Sequence, residues 1–336
     1  MPEAALGENR SRTPRGRLLR GLKLALLCAL LGYVLWSLRS QTDALAGLLA
    51  PGYLPHLAAA ALCLAVNQLL MAYRQVVLLR HAGAPVPLGE SARIIFAGLF
   101  ANNLMPAGMG HDLTRMIYLR GYGGQTGASL GGLVILDRFL GLMGLSVLAL
   151  CSFGALARFY PAAVPGEAGR LLLYAVLAPL PLGLVILALR HGATFDLLSR
   201  LCGRLPLGGK LQELLAGMRR FASRKRVLLW ALILAALGHL STVLGVAFIA
   251  AGLYGERAAL GSTLVSPLVF FASSVPVTPS NLGWTETVAD AAWSVFGLRG
   301  GLVIFLVWRL VTMLVSLAGC AAYLNLRGQA ARGGES

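Results

Sequence analysis

The hydrophobic positions of this chain fall in long unbroken runs, not in the two-residue alternation of a strand or the 3.6-residue stripe of a surface helix. Six runs are of membrane-spanning length, at residues 22–38, 54–71, 128–151, 171–189, 227–253 and 302–323. A helix needs about 20 apolar residues to cross a hydrocarbon core about 30 Å thick. Two further runs, 92–105 and 260–277, are shorter and stop at helix breakers. The first meets Pro106, Gly108 and Gly110; the second meets Thr278, Pro279, Asn281 and Gly283. Weakly apolar, amphipathic stretches follow, reaching Arg120 and Phe296. Proline removes a backbone donor and glycine permits a sharp turn, so at bilayer depth such breaks persist only where protein or water satisfies the freed groups. The pattern predicts an all-α, polytopic integral membrane bundle with two re-entrant or broken helices. Ordinary spans followed by loops are the other reading of the same pattern.

Basic residues orient these segments. Arg10, Arg12, Arg15, Arg17, Arg20 and Lys23 precede or open the first run, and residues 200–226 carry a second cluster including Arg219, Arg220 and Arg224. Cytoplasmic loops are enriched in such residues. With the amino terminus inside, Arg74, Arg80 and His81 are delivered inside by the span ending near Met71. Residues 92–120 dip in and return, residues 190–226 lie inside, and Arg327 and Arg332 place the tail inside. This gives a multi-pass protein of the cytoplasmic membrane with both termini cytoplasmic. The run at 22–38 resembles a signal peptide, with Ala44-Leu45-Ala46 like a cleavage site. An uncleaved anchor agrees better with the orientation of the later spans.

The expected organisation is a basic segment 1–21, a transmembrane domain 22–326 and a tail 327–336. Its halves, about 54–190 and 227–326, read as span, dip, span with opposite orientation: an inverted repeat. Pro106 and Gly110 are echoed by Pro279 and Gly283, Phe100-Ala101-Asn102-Asn103 by Phe271-Ala272-Ser273-Ser274, and Arg138 by Arg309. Interrupted segments at corresponding positions of two halves are a pointer to a transporter's binding site. Between the halves, residues 194–226 read as two short amphipathic helices divided at Pro206 and Gly208-Gly209, suited to the cytoplasmic membrane interface.

Composition sharpens this picture. The 336 residues are 57% hydrophobic and 12% charged, with a mean hydropathy of +0.74, against about 25% charged in soluble domains. The net charge of +16 sits beside membrane runs without nucleic-acid motifs, which fits anionic lipid at the cytoplasmic face and excludes nucleic acid as a partner. Five cysteines without a CxxC pair and five scattered histidines support neither a disulfide framework nor a metal site. No cofactor is expected. Walker A, GxSxG and dinucleotide fingerprints are absent, so an ATP-driven pump has no support.

Ionisable side chains at membrane depth cost about 2.5–3.5 kcal/mol even on lenient insertion scales, and are retained when paired, cavity-facing or functional. Here they are Asp137, Arg138 and Arg309 within spans, and Asp112, Arg115 and Glu286 on the broken segments. Adjacent on one helix, Asp137 and Arg138 point about 100° apart, so the expected pairs are Arg138 with Glu286 and Asp137 with Arg309. Structural ion pairing is the alternative to a functional role. Asn102 and Asn103, before the first break, expose amide groups at depth. The helix after Gly110 would offer its positive end to a phosphate, unless Asp112 caps it. His239, Ser241 and Thr242 interrupt the run at 227–253 and suit interhelical hydrogen bonds or a cavity wall.

Together these motifs resemble the lysylphosphatidylglycerol synthase transmembrane (flippase-like) family. The resemblance rests on Asn102-Asn103-x-x-Pro106, Gly110-x-Asp112-x-x-Arg115, Leu136-Asp137-Arg138, Pro279-x-x-x-Gly283-x-x-Glu286 and Arg309-Leu310, spread over residues 20–325. His111 and Trp284 depart from the family pattern. The resemblance implies an inverted-repeat bundle moving aminoacylated or glycosylated lipids between leaflets. It marks Asp112, Asp137, Glu286 and Arg309 as functional. Family members with synthase activity add a soluble aminoacyl transferase domain; the short tail ending at Ser336 implies its absence here. The expected function is a flippase- or scramblase-like lipid translocase, not an enzyme, binding phospholipid or glycolipid through Asn102, Asn103, Asp112, Arg115, Asp137, Arg138, Glu286 and Arg309. A homodimer is compatible. The alternatives are a polyprenyl-phosphate-dependent glycosyltransferase, against which the short, carboxylate-poor external loops argue, and a non-transporting accessory subunit.

Overall fold

The computed structural model describes residues 51–104, 109–120, 122, 126–159, 177, 191–204, 208–222, 224–275, 277–278 and 281–333. The expected span at 22–38, that at 171–189 apart from residue 177, the basic segment 1–21 and the breakers Pro106, Gly108 and Pro279 lie outside them. Among the described residues the protein is helical, without strands. After a short turn at Pro51–Tyr53, the helices are α1 (Leu54–His81), α2 (Leu88–Leu104), α3 (Gly110–Tyr118), α4 (Gly127–Phe159) and α5 (Gly192–Gly203). They continue as α6 (Gly208–Ala222), α7 (Lys225–Tyr254), α8 (Glu256–Ala272), α9 (Trp284–Val295) and α10 (Gly301–Gly333). Four of them, α1, α4, α7 and α10, are long and apolar enough to cross a membrane. Helix α2 ends before the first Pro/Gly break and α3 resumes at Gly110; α8 ends before the second and α9 resumes at Trp284.

The outward surface explains why the apolar runs are continuous. On α7, Leu229, Ile233, Leu237, Leu240, Leu244 and Phe248 are exposed at three- and four-residue spacing, one face of a helix. Leu310, Leu314 and Leu317 form a similar stripe on α10. A soluble monomer rarely leaves such contiguous apolar surface in water, whereas hydrocarbon is its proper solvent. The chain is therefore a multi-pass membrane protein.

The opposite faces build two apolar clusters. One joins Ala60 and Leu64 of α1 and Val246 and Ile249 of α7 to Trp293, Phe305 and Trp308 of α9 and α10. The other joins Leu78 and Leu79 of α1 and Leu228 and Ala231 of α7 to Ile94, Leu119 and Phe221 of α2, the end of α3 and α6. The clusters thus use opposite ends of α1 and α7. Buried polar positions fall between them: Gln68, Arg74 and Gln75 on α1, and Thr242 on α7.

Packing between the segments is reciprocal. Helix α1 lies along α7, α2 packs on α10, and α8 packs on α4. The α2–α10 contact is tight because α10 offers Gly319 to the α2 backbone, where a Cβ would collide with the Phe96 carbonyl. We expect Gly319→Leu to force these helices apart and to cost at least about 1–3 kcal/mol, the usual penalty of overpacking. A lowered melting temperature of the detergent-purified variant would record it.

The amphipathic segment divides as its sequence suggests, into α5 and α6. Helix α6 spends its apolar face on α4, burying Met218 and Phe221, while α5 buries no residue and leaves Leu197 and Leu201 exposed.

Candidate functional site

Asp137 of α4 is the centre of a buried ionic cluster. It is 4% exposed, and the two guanidiniums on it, Arg74 of α1 and Arg115 of α3, are 6% and 2% exposed. Arg74 Nη2 donates to Asp137 Oδ2 at 3.0 Å. Its Nε stands 2.7 Å from Oδ1 as an ion pair, without the alignment of a hydrogen bond. Arg115 Nη1 donates to Oδ2 at 2.8 Å, and Arg115 Nε donates to Gln75 Oε1 at 2.7 Å. Gln75 in turn donates to Ser91 Oγ at 3.0 Å, and Ser91 donates to the Ala72 carbonyl at 2.9 Å. Removing these charges from water is costly, and the opposed charges and hydrogen bonds of the cluster are what make the burial tolerable. Next to this cluster, Arg138 Nε donates to Asp112 Oδ2 at 2.6 Å, with the Arg138 side chain largely exposed.

A second polar centre lies on the other broken segment. Glu286, 1% exposed, sits in the first turn of α9. Its Oε2 accepts the Gly283 N–H at 2.9 Å, and its Oε1 accepts Arg309 Nε of α10 at 2.5 Å. Gly283 adopts φ +77°, a left-handed conformation open to glycine without steric cost. Arg309 Nη2 also donates to the Asn281 carbonyl at 3.1 Å, and the Asn281 amide donates to the Ser273 carbonyl at 2.5 Å. The turn and the arginine are one hydrogen-bonded unit.

Each centre opens into a cavity. The cavity at Asp137, about 250 Å³, is lined by both broken-helix and spanning residues, among them Asn67, His111, Gly141 and His239. The cavity at Glu286, about 260 Å³, is lined by Phe270, Thr285, Trp308, Arg309 and Thr312. Asn102 lines both. Its Oδ1 is buried without a hydrogen-bond partner, while the neighbouring Asn103 amide donates to Ser316 Oγ of α10 at 2.6 Å. The end of α2 therefore forms part of the wall of both cavities.

Residues 20–319 of the chain match the family model described as Lysylphosphatidylglycerol synthase TM region. The chain belongs to this family. No curated protein and no solved structure matches it. All the residues that line the two cavities fall inside the span matched to the Lysylphosphatidylglycerol synthase TM region family.

In this member of the Lysylphosphatidylglycerol synthase TM region family, the eight residues singled out from sequence all reach one of the two cavities. Their pairing differs from expectation. Asp137 is held by Arg74 and Arg115, not by Arg309, and Arg138 meets Asp112, not Glu286. The reason is packing: each short helix after a break lies on the long helix that follows it, α3 on α4 and α9 on α10. Its carboxylate is thus offered to an arginine of its own half, Asp112 to Arg138 and Glu286 to Arg309.

Arg74 was expected on a cytoplasmic loop beyond a span ending near Met71. Helix α1 instead continues to His81 and carries Arg74 into the interior. The signal was present: residues 76–79 are Val-Val-Leu-Leu, so apolar spacing resumes beyond the arginine and marks it as interior. Gln75 and Asn67 share that helix and were missed with it. His239 takes both roles open to it, bonding the Gly141 carbonyl of α4 at 3.0 Å and lining the Asp137 cavity. Ser241 is purely interhelical, donating to the Cys63 carbonyl of α1 at 2.7 Å. Thr242 turns back on its own helix, donating to the Gly238 carbonyl at 3.1 Å.

Proposed function

We propose that the protein is a lipid translocase of the cytoplasmic membrane, carrying the polar head group of a phospholipid or glycolipid between leaflets while its acyl chains stay in hydrocarbon. The observation that carries this reading is a pair of polar, charged cavities that share Asn102 as a wall, inside a bundle whose exterior is apolar. Passage of a head group through bare hydrocarbon is opposed by the loss of its hydrogen bonds with water. Amides and guanidiniums along a protein path replace those bonds, which lowers the barrier.

The arrangement of the halves supports the same reading. The reciprocal packing of α1 with α7, α2 with α10 and α8 with α4 is what an inverted repeat would produce. The apolar cluster that holds α2 belongs to one end of the long helices, and the cluster that holds α9 belongs to the other. In this proposal the broken segments enter from opposite leaflets, the one bearing Asp112 from the cytoplasm and the one bearing Glu286 from outside. The basic clusters keep both termini cytoplasmic.

Asn102→Leu tests the residue that the two cavities share. Leucine keeps the branched outline of asparagine but is bulkier and offers no hydrogen bond, so a head group should meet an apolar constriction in a variant whose folding is checked by monodispersity. In proteoliposomes, the dithionite-accessible fraction of a fluorescent phospholipid should report translocation slowed by at least about tenfold, a barrier increase of about 1.4 kcal/mol. Wild-type rates in a well-folded Asn102→Leu protein would remove Asn102 from the path and with it the joined-cavity mechanism.

A further inference from the structure

We infer that the cavity at Asp137 is a binding site for a phosphate-bearing, net-anionic head group, and that it discriminates against cationic, aminoacylated ones. The inference rests on the translocase reading for the lipid nature of its ligand and goes beyond it in naming the charge class.

The charge inventory carries the argument. Three arginines, Arg74, Arg115 and Arg138, line this cavity together with two carboxylates, Asp112 and Asp137. With histidines counted neutral, one positive charge is left over among the described residues. The surplus arises because Asp137 serves two guanidiniums at once. A phosphodiester carries one negative charge, and guanidinium groups are the side chains best matched to its oxygens. The close approach that a cavity imposes strengthens that match.

A cation meets the reverse situation. No carboxylate in either cavity is unspent: Asp112 is engaged by Arg138, Asp137 by two arginines, and Glu286 by Arg309 and the Gly283 N–H. An entering ammonium group would have to displace a guanidinium from its carboxylate, and at Asp137 and Glu286 from one that is almost wholly buried.

A second, independent feature points to a missing ligand. Both ring nitrogens of His111 are shielded from solvent and have no hydrogen-bond partner, although the residue lines this cavity. Such groups are rare because each costs about 1–3 kcal/mol. The ring is accommodated by α2, where Gly98 faces it and any Cβ would collide with Nδ1. Asn102 Oδ1, on the same cavity wall, is also without a partner. An imidazole N–H donor beside a surplus guanidinium suits a phosphate oxygen, and the Asn102 carbonyl suits a head-group hydroxyl.

The test is competitive lipid binding to the purified full-length chain, read by native mass spectrometry. The probes are phosphatidylglycerol, phosphatidylcholine and lysyl-phosphatidylglycerol at equal concentration, with sn-glycerol 3-phosphate as a soluble competitor. Phosphatidylglycerol should be retained at least about tenfold over the lysylated lipid. Arg138→Gln, at an exposed side chain, removes the surplus charge and should bring that ratio within about twofold, whereas Asp112→Asn should widen it. His111→Ala should weaken phosphatidylglycerol binding. Displacement by glycerol phosphate would show that the anion site also takes a soluble phosphate, and binding of the lipid alone would assign the source to the membrane; both support an anion site. Equal retention of the two lipids, or a ratio unmoved by Arg138→Gln and Asp112→Asn, overturns the inference. Selective binding without translocation would sink the translocase and leave this site standing. Equal binding with translocation would do the opposite.

Discussion

Replacing Asp137 with alanine is expected to prevent accumulation of the folded bundle. The substitution leaves Arg74 and Arg115 buried without their shared counter-ion. Removing one partner of a buried pair costs about 3–5 kcal/mol, since the remaining charge stays desolvated. Here two charges are stranded, and that loss approaches the entire stability of a typical domain, about 5–15 kcal/mol. Arg115→Met provides the contrast. It removes an equally buried side chain and the bond to Gln75, yet leaves Arg74 and Asp137 as a balanced pair. The monodisperse yield after detergent extraction should therefore fall further for Asp137→Ala than for Arg115→Met. The reverse order would mean that packing, not charge balance, dominates the cluster.

The second large effect is expected at Glu286. Its carboxylate does two jobs, accepting the N–H at the start of α9 and neutralising Arg309. Loss of a helix cap costs about 0.5–2 kcal/mol, and the mostly buried Arg309, deprived of this carboxylate, adds the penalty of a broken interior ion pair. Glu286→Ala should therefore destabilise the α9–α10 region and, on the translocase reading, stop lipid movement. Glu286→Gln keeps the side-chain volume and an acceptor for Gly283 N–H, and should fold better than the alanine variant while still failing to transport. The comparison with Arg138→Gln is informative. The Arg138–Asp112 pair is similar in connectivity, but its arginine is largely exposed, and exposed pairs contribute about 0–1 kcal/mol. Arg138→Gln should leave the melting temperature almost unchanged. Proteoliposome assays of variants first matched for monodispersity separate folding losses from transport losses. A Glu286→Gln protein that transports at wild-type rate would show that this pair is structural only.

Several features of the protein were legible without coordinates because they depend on local chemistry. Continuous apolar runs signal hydrocarbon surroundings. Pro/Gly breaks after Asn102-Asn103 and near Asn281 interrupt helices wherever the segments pack, and a charged residue inside such a run must be given a partner. Membrane helices, the two interruptions and the short roster of intramembrane charges follow from those rules alone. Arg74 shows where the reading stops. It lies close to Arg80 and His81, and by position it looked like a loop cation set by the positive-inside rule. The apolar residues 76–79 beyond it are the sequence signal that α1 continues and turns it inward.

Partner choice was beyond the sequence for a different reason. An arginine side chain is long enough to reach any of several neighbouring helices, so the intramembrane charges permit more than one set of pairs. The selection among them came from helix packing: α3 against α4 and α9 against α10 bring each carboxylate to an arginine of its own half. The same packing put Arg74 and Arg115 on one aspartate, and it placed Asn102 between two cavities. Helices and their surroundings are decided by neighbours along the chain. Charge balance within a cavity is decided by residues 22 to 63 positions apart, and only the folded arrangement of helices settles which of them meet.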